Sequence, residues 1–153
     1  MALIFVDDEG ENSIAVASGA NAQLLPEDVE GARDVISSAG ILLMQLETPL
    51  KTVKKAALLA RDRGVKVILN PAPAQELDDE LLGALSIITP NESEAELLTG
   101  IAVTDTNSAE KAAEVLLDNC DEFGIEMGLQ DSVLFARSLL TNLETITRVP
   151  TTQ

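Results

Sequence analysis

The chain has 153 residues, with 10 Lys and Arg against 26 Asp and Glu, a formal charge of −16 and no histidine. A field of that sign repels phosphate backbones and argues against nucleic acid as a partner. Without histidine there is no Ser-His, Cys-His or His-metal chemistry, and one cysteine, Cys120, provides neither an internal disulfide nor a thiolate zinc site.

This length suggests one domain with an independent core. Aromatic residues make up 2% of the chain, so the core must be built from Leu, Ile, Val and Ala. The basic residues Lys51, Lys54, Lys55, Arg61, Arg63 and Lys66 fall in one stretch and read as the solvated face of a helix. No apolar run approaches the ~20 residues of a membrane span. The start, Met1 to Asp7, has neither the basic region nor the length of apolar run of a signal peptide. Together with the lone thiol this leads us to expect a cytoplasmic protein with no membrane partner.

Residues 2–7 and 12–17 are short, apolar and β-branched, which predicts a hairpin over 1–17. Ser18-Gly19-Ala20-Asn21 predicts a loop. Pro26 suits the first turn of a helix in which Val29, Ala32, Val35 and Ile36 keep helical spacing. Residues 41–46 form a continuous apolar run, expected for a strand buried on both faces. Thr48 is the expected cap, with Pro49 at the first position, of a helix running to about Arg63 and ended by Gly64. Residues 65–69 predict another strand, which Asn70-Pro71-Ala72-Pro73 must stop. A short acidic helix is predicted around 78–84, a strand at 86–88 and a helix over 92–98 closed by Gly100. The last predicted helix covers 108–119, with Asn107 as cap and Glu110 three residues on. Alternating strands and helices over 18–120 imply an α/β core with a parallel sheet. Residues 121–130 have neither period, 132–136 and 145–149 could be strands, and 121–153 reads as a divergent tail.

Open parallel sheets bind ligands outside the carboxyl ends of their strands. Glu47, Asn70 and the pair Asn91 and Glu94 follow three such ends and would face one edge. Each also has a structural role open to it. Asn91 and Glu94 have the spacing of a capping box. The same Glu could hold a hydrated Mg²⁺ through water, and the same Asn could bond a nucleotide phosphate at a helix start. Glu47 could favour the positive end of the following helix or accept hydrogen bonds from sugar hydroxyls. Asn70 could satisfy the backbone of the loop before Pro71. The acids Asp78, Asp79 and Glu80 read as a solvated helix start.

Five segments occur in the order found in the PfkB carbohydrate kinase family, and specifically its ribokinase-type members. They are Val6 to Ile14, Ser18-Gly19-Ala20-Asn21, Gln45-Leu46-Glu47-Thr48-Pro49, Asn70-Pro71-Ala72-Pro73-Ala74 and Ile88 to Glu96. The chain resembles that family over roughly residues 2–117. The resemblance implies a ribokinase-like α/β fold and an ATP- and Mg²⁺-dependent transfer of phosphate to a sugar hydroxyl, ribose O5 foremost. It implies that Glu47 contacts the sugar, that Asn91 binds nucleotide and that Glu94 acts on Mg²⁺, with Asn70 a weaker candidate. It also implies that the opening hairpin is part of a lid that covers the sugar and pairs two copies into a homodimer.

The family's earlier Gly-Gly-Lys-Gly-Ala-Asn segment, its Gly-Ser-x-Gly nucleotide loop and its later Gly-Ala-Gly-Asp segment, which carries the catalytic base, have no counterpart in this sequence. A monovalent cation is a further family cofactor whose binding segment is likewise missing. The expectation is therefore a chain of a kinase family that turns over no substrate by itself and that self-associates or is poorly soluble. The alternative is a non-catalytic module that keeps sugar or nucleotide binding.

Overall fold

The computed structural model describes residues 2–6, 12–117, 122–127, 132–139 and 142–150. Strands β1 (Ala2–Val6) and β2 (Asn12–Val16) pair antiparallel, with Ile4 opposite Ile14, and form the expected hairpin as a separate sheet. Their predicted turn lies outside the described residues. The segment expected as a loop after β2 is a 3₁₀ helix, Gly19–Gln23, entered through a left-handed Gly19 at φ 52°. Only glycine takes that conformation without a steric penalty.

The predicted helix after Pro26 is two helices, α1 (Pro26–Gly31) and α2 (Arg33–Ser38). The break falls at Ala32, whose ψ of 8° leaves the helical region. The break redirects the second half, so that Val29 is buried while Val35 stays 73% exposed.

The main sheet has the order β3-β4-β5-β6-β7-β8. Strands β3 (Ile41–Met44), β4 (Lys66–Leu69), β5 (Ile87–Ile88) and β6 (Glu122–Met127) run parallel. Strands β7 (Ser132–Leu139) and β8 (Asn142–Pro150) continue antiparallel. The parallel order β3-β4-β5 follows from the intervening helices, because a parallel neighbour requires a crossover rather than a tight turn.

Helix α3 (Leu50–Arg61) makes the first crossover and buries Val53, Ala56, Ala57 and Ala60 against Leu42, Met44, Val67 and Leu69. Thr48 does not cap it. Pro49 is the cap residue, with extended backbone at ψ 129°, and no side chain caps the helix. Thr52 instead donates its hydroxyl to the Leu24 carbonyl at 2.8 Å, tying α3 to the segment before α1. The helix gives way to β4 through Gly64 at φ 72°. The basic residues of this stretch are only in part a free solvated face. Lys54 pairs with Asp78 and Glu80, and Lys55 pairs with Glu30.

Helix α4 (Asp79–Leu82) is capped by Asp78, whose Oδ1 accepts the Leu81 N–H at 2.9 Å. Helix α5 (Glu92–Thr99) follows β5 and ends at left-handed Gly100. Helix α6 (Thr106–Leu117) buries Ala109, Ala112, Ala113 and Leu116, a spacing that lines one helical face. Its cap is Asp105 rather than Asn107, which lies inside the helix. Asp105 Oδ1 accepts the Ser108 N–H at 2.8 Å, and Ser108 Oγ accepts the Asp105 N–H at 3.0 Å. Among the described residues no helix is long and apolar enough to cross a membrane.

The Ser108 backbone N–H, then its hydroxyl, hold the Asp105 carboxyl below the usual aspartate value. A depressed folded value stabilises the helix start above the unfolded pKa of about 4 and loses that contribution as the pH falls through the folded value. We expect the first-turn amides of α6 to lose hydrogen-exchange protection below about pH 4, and Asp105→Ala to abolish that pH dependence. An unchanged acid profile in the variant would count against the cap.

Candidate functional site

The three strand ends named above lie on one edge because β3, β4 and β5 are parallel neighbours in register. Met44, Leu69 and Ile88 are Cα partners across the three strands. Glu47, Asn70 and Asn91 follow those positions. Two strand spacings separate the ends of β3 and β5, roughly 10 Å.

At the end of β3 the chain is held by backbone bonds from Asn70 N–H to the Met44 carbonyl (2.9 Å) and from Leu46 N–H to the Ala72 carbonyl (2.8 Å). They fix the segment that carries Glu47 against Ala72-Pro73, whose peptide bond is cis. Leu46 is buried while Glu47 is exposed. Glu47 opens onto a cleft of about 400 Å³ shared with Val16, Ser18, Asn21, Leu46, Ala72 and Pro73. A carboxylate, a hydroxyl and an amide therefore surround one concavity with an apolar floor. That combination suits a small polyhydroxylated ligand, whose hydroxyls need acceptors and whose carbon faces need apolar surface.

Ser18 and Asn21 were not among the residues expected at the site. Their signal was present, since Ser18-Gly19-Ala20-Asn21 is one of the matching motifs, but its place beside Glu47 depends on how β2 delivers the 3₁₀ helix to the sheet edge. Asn70 is half-buried, and its Oδ1 is buried without a hydrogen-bond partner. Its side-chain oxygen therefore does not satisfy the loop backbone before Pro71, the structural role open to it from sequence. A buried amide oxygen left unpaired costs about 1–3 kcal/mol. Asn70 is not among the residues lining the Glu47 cleft.

Asn91 and Glu94 form the complete capping box. Asn91 Oδ1 accepts the Glu94 N–H at 2.8 Å, and Glu94 Oε2 accepts the Asn91 N–H at 2.9 Å. Glu94 is 7% exposed and Asn91 is exposed. The box fixes both side chains. With Oδ1 committed to the helix, the Asn91 NH₂ is the group left for a ligand, and it can only donate. With Oε2 held by a backbone amide, Glu94 keeps its other oxygen for further contacts. The structural role of this pair is therefore compatible with ligand binding and orients it. The pair does not line the Glu47 cleft, and the two groups of candidate residues stand on either side of β4.

Among the described residues, no group of three or more Asp, Glu, Cys or His side chains could enclose a metal ion. What this edge offers a cation is one oriented carboxylate at a helix start. That fits Mg²⁺, which keeps several waters and binds through one or two carboxylates together with substrate phosphates.

Residues 1–151 match the profile described as pfkB family carbohydrate kinase. A ribokinase of Haemophilus influenzae is 56% identical over 118 residues, which span 77% of this chain and 39% of that one. The structure of ribokinase from Thermotoga maritima superposes with a TM-score of 0.79 at 33% identity, covering 99% of this chain and 48% of that one. A ribokinase of Arabidopsis thaliana complexed with ribose and ATP shares the fold at a TM-score of 0.75 and 24% identity, covering 97% and 46%. The chain thus spans about two fifths of the curated relative's length and about half that of the solved ones. With residues 1–151 matched by the profile, this chain belongs to the pfkB family of carbohydrate kinases.

Proposed function

We propose that this chain contributes the sugar-side and nucleotide-side contacts of an ATP-dependent sugar kinase whose acceptor is a hydroxyl of ribose or a closely related sugar. The observation that carries the reading is the pair of prearranged sites on one parallel sheet edge. The Glu47 cleft is one, and the Asn91–Glu94 box at the start of α5 is the other.

In this reading Glu47 accepts hydrogen bonds from sugar hydroxyls, while Ser18 and Asn21 fix the ring in the cleft. The Asn91 NH₂ donates to a phosphate oxygen, aided by the positive end of α5. Glu94 orients the water shell of a nucleotide-bound Mg²⁺, and that ion, when bound, offsets the charge of the phosphates. Asn70, which lies between the two sites in strand order, is the secondary candidate for a ligand contact. The opening hairpin closes over the sugar. The apolar side chains Leu3, Ile4, Phe5 and Val6 are exposed on β1 and would pair with a second copy. The cytoplasm is the compartment we assign to this activity.

We propose further that the 153-residue polypeptide does not turn over by itself. Neither carboxylate at the edge is assigned as the general base for the attacking hydroxyl. Glu47 is assigned to the sugar's binding hydroxyls and Glu94 to the metal shell. A missing general base alone costs about 10²–10⁴-fold.

The test has two arms. A coupled assay for ADP formation with ribose and Mg-ATP is expected to read background, and sustained turnover would refute the inactive state. Calorimetry with ribose is expected to show saturable binding that weakens at least tenfold in Glu47→Ala, about 1.4 kcal/mol or more. Ribose binding that survives the substitution would refute the role of Glu47, and complete absence of binding in the parent would refute the sugar site.

A further inference from the structure

Among the described residues the buried polar or charged side chains are Glu94, assigned above, and Thr52, which is 2% exposed. Thr52 stands in the first turn of α3, shortly after Glu47. A threonine in a helix can return its hydroxyl to the carbonyl three or four residues back. Here the Pro49 carbonyl already accepts the Thr52 N–H at 2.8 Å and the Val53 N–H at 3.1 Å. The hydroxyl of Thr52 instead donates to the Leu24 carbonyl at 2.8 Å, a residue distant in the chain.

Leu24 closes the 3₁₀ helix Gly19–Gln23. Its N–H bonds to the Asn21 carbonyl at 3.3 Å, and the Asn21 N–H bonds to the Ser18 carbonyl at 3.0 Å. Its own backbone is extended, at φ −70° and ψ 118°, so its carbonyl leaves the helical pattern and needs a donor from elsewhere. Ser18 and Asn21 form one wall of the Glu47 cleft, and Leu46 and Glu47 form another. The Thr52 hydroxyl therefore links the two walls. It does so from behind, because Thr52 is not among the residues lining the cleft.

Every residue from Ala17 to Leu25 is exposed. Burial does little to hold that wall, so a directional bond to a buried, helix-anchored hydroxyl decides more of its position than it would in a packed segment. Glu47, by contrast, follows buried Leu46, whose N–H is bonded to the Ala72 carbonyl.

We propose that Thr52 is a positioning residue of the Glu47 cleft, whose hydroxyl sets the distance of Ser18 and Asn21 from the Glu47 carboxylate and so the affinity for the sugar. The inference rests on the reading of this cleft as a sugar site. A ring held by donors and acceptors from two walls binds more tightly when both stand at the spacing of its hydroxyls before it arrives, because less ordering remains to be done.

Two variants of the full chain test this, read by backbone amide resonances, hydrogen exchange and calorimetry. Thr52→Val removes the donor at nearly constant volume, and Thr52→Ser keeps it. Thr52→Val is expected to keep the parent's circular dichroism and the exchange protection of α3 while shifting the Asn21 and Leu24 amide resonances. It should speed the exchange of those two amides and weaken ribose binding about three- to tenfold, the worth of one neutral hydrogen bond. Mg-ATP affinity should stay at the parent's value, since Asn91 and Glu94 stand on the far side of β4. Thr52→Ser should restore the amides and the ribose affinity. Should Thr52→Val fail to fold, Thr52→Ala reads the same lost donor. An equal loss of ribose and Mg-ATP binding, or lost protection within α3, would make Thr52 a packing residue and overturn the proposal. So would parent-like Asn21 and Leu24 amides in Thr52→Val, or a serine variant no better than the valine one. A parent that binds no ribose would refute the sugar reading by itself. The amides then decide the positioning role alone: disturbed in Thr52→Val and restored in Thr52→Ser upholds it, and no difference overturns it.

Discussion

Leu69→Ala is expected to lower the free energy of unfolding by about 2–5 kcal/mol. Leu69 is fully buried on the central strand of the three that form the edge, with Met44 and Ile88 beside it in register. It belongs to the cluster that includes Val53, Ala57 and Leu81 from helices and Leu85 from the connection before β5. Its own carbonyl accepts the Thr89 N–H at 3.0 Å, and the next residue's N–H bonds to Met44. The alanine cavity therefore opens where three strands meet, and backbone pairing on both sides resists the collapse that would refill it. A domain of this size has about 5–15 kcal/mol in total, so the loss is a large fraction. At roughly 2–4 °C per kcal/mol the midpoint falls by about 4–20 °C. Urea and thermal unfolding followed by circular dichroism measure it. Leu69→Met, which keeps the volume, should cost under about 1.5 kcal/mol. A loss below 1 kcal/mol for the alanine variant would mean that the strand centre is not packed as described.

Glu94→Gln is expected to weaken Mg-ATP binding about 10–100-fold, the usual effect of losing an outer-shell partner of a metal, while leaving stability almost unchanged. The glutamine oxygen can still accept the Asn91 N–H, as Gln serves in capping boxes, so only the charge is removed. Asn91→Ala makes the complementary change. It removes the side chain that accepts the Glu94 N–H and should cost about 1 kcal/mol of stability, together with the donor assigned to phosphate. Calorimetry with ATP in the presence of Mg²⁺ and then of a chelator separates the two. Parent and Glu94→Gln should converge once the metal is removed, because the lost interaction runs through the cation. If Glu94→Gln binds Mg-ATP as tightly as the parent, the carboxylate is a cap and nothing more. If it loses stability as Asn91→Ala does, its charge rather than its hydrogen bond holds the helix start.

Much of the core was legible from period alone. The hairpin, the strands at β3, β4 and β5, and the helices α3 and α5 stand where apolar spacing put them, within one or two residues at most ends. The misreadings share a cause. The split of α1 from α2 at Ala32 has only a weak mark in sequence, Gly31, because a single glycine is tolerated inside an otherwise periodic helix. The cap of α6 moved from Asn107 to Asp105 because an Asp-x-x-Ser pair can form the same reciprocal bonds as the expected box, and packing of Ala109 and Ala112 fixed which pair was used. Strand β6 arose where no period was visible, because pairing with β5 supplies the ladder that local sequence does not encode.

The site divides in the same way. Sequence by itself determined the residue types at the strand ends, and the parallel order that brings Glu47, Asn70, Asn91 and Glu94 to one edge follows from strands alternating with helices. Only the tertiary structure decided which of them share a cavity. It set Ser18 and Asn21 beside Glu47, kept Asn91 and Glu94 apart on the far side of β4, and left Asn70 Oδ1 buried and unpaired. It also left Ile41 and Leu43 of β3 exposed, where the apolar run had announced two covered faces. The reason is one of range. Period and capping are set by residues within a few positions of one another, whereas a cleft, an orphaned oxygen or a bare strand face depends on which distant segments arrive to fill the space.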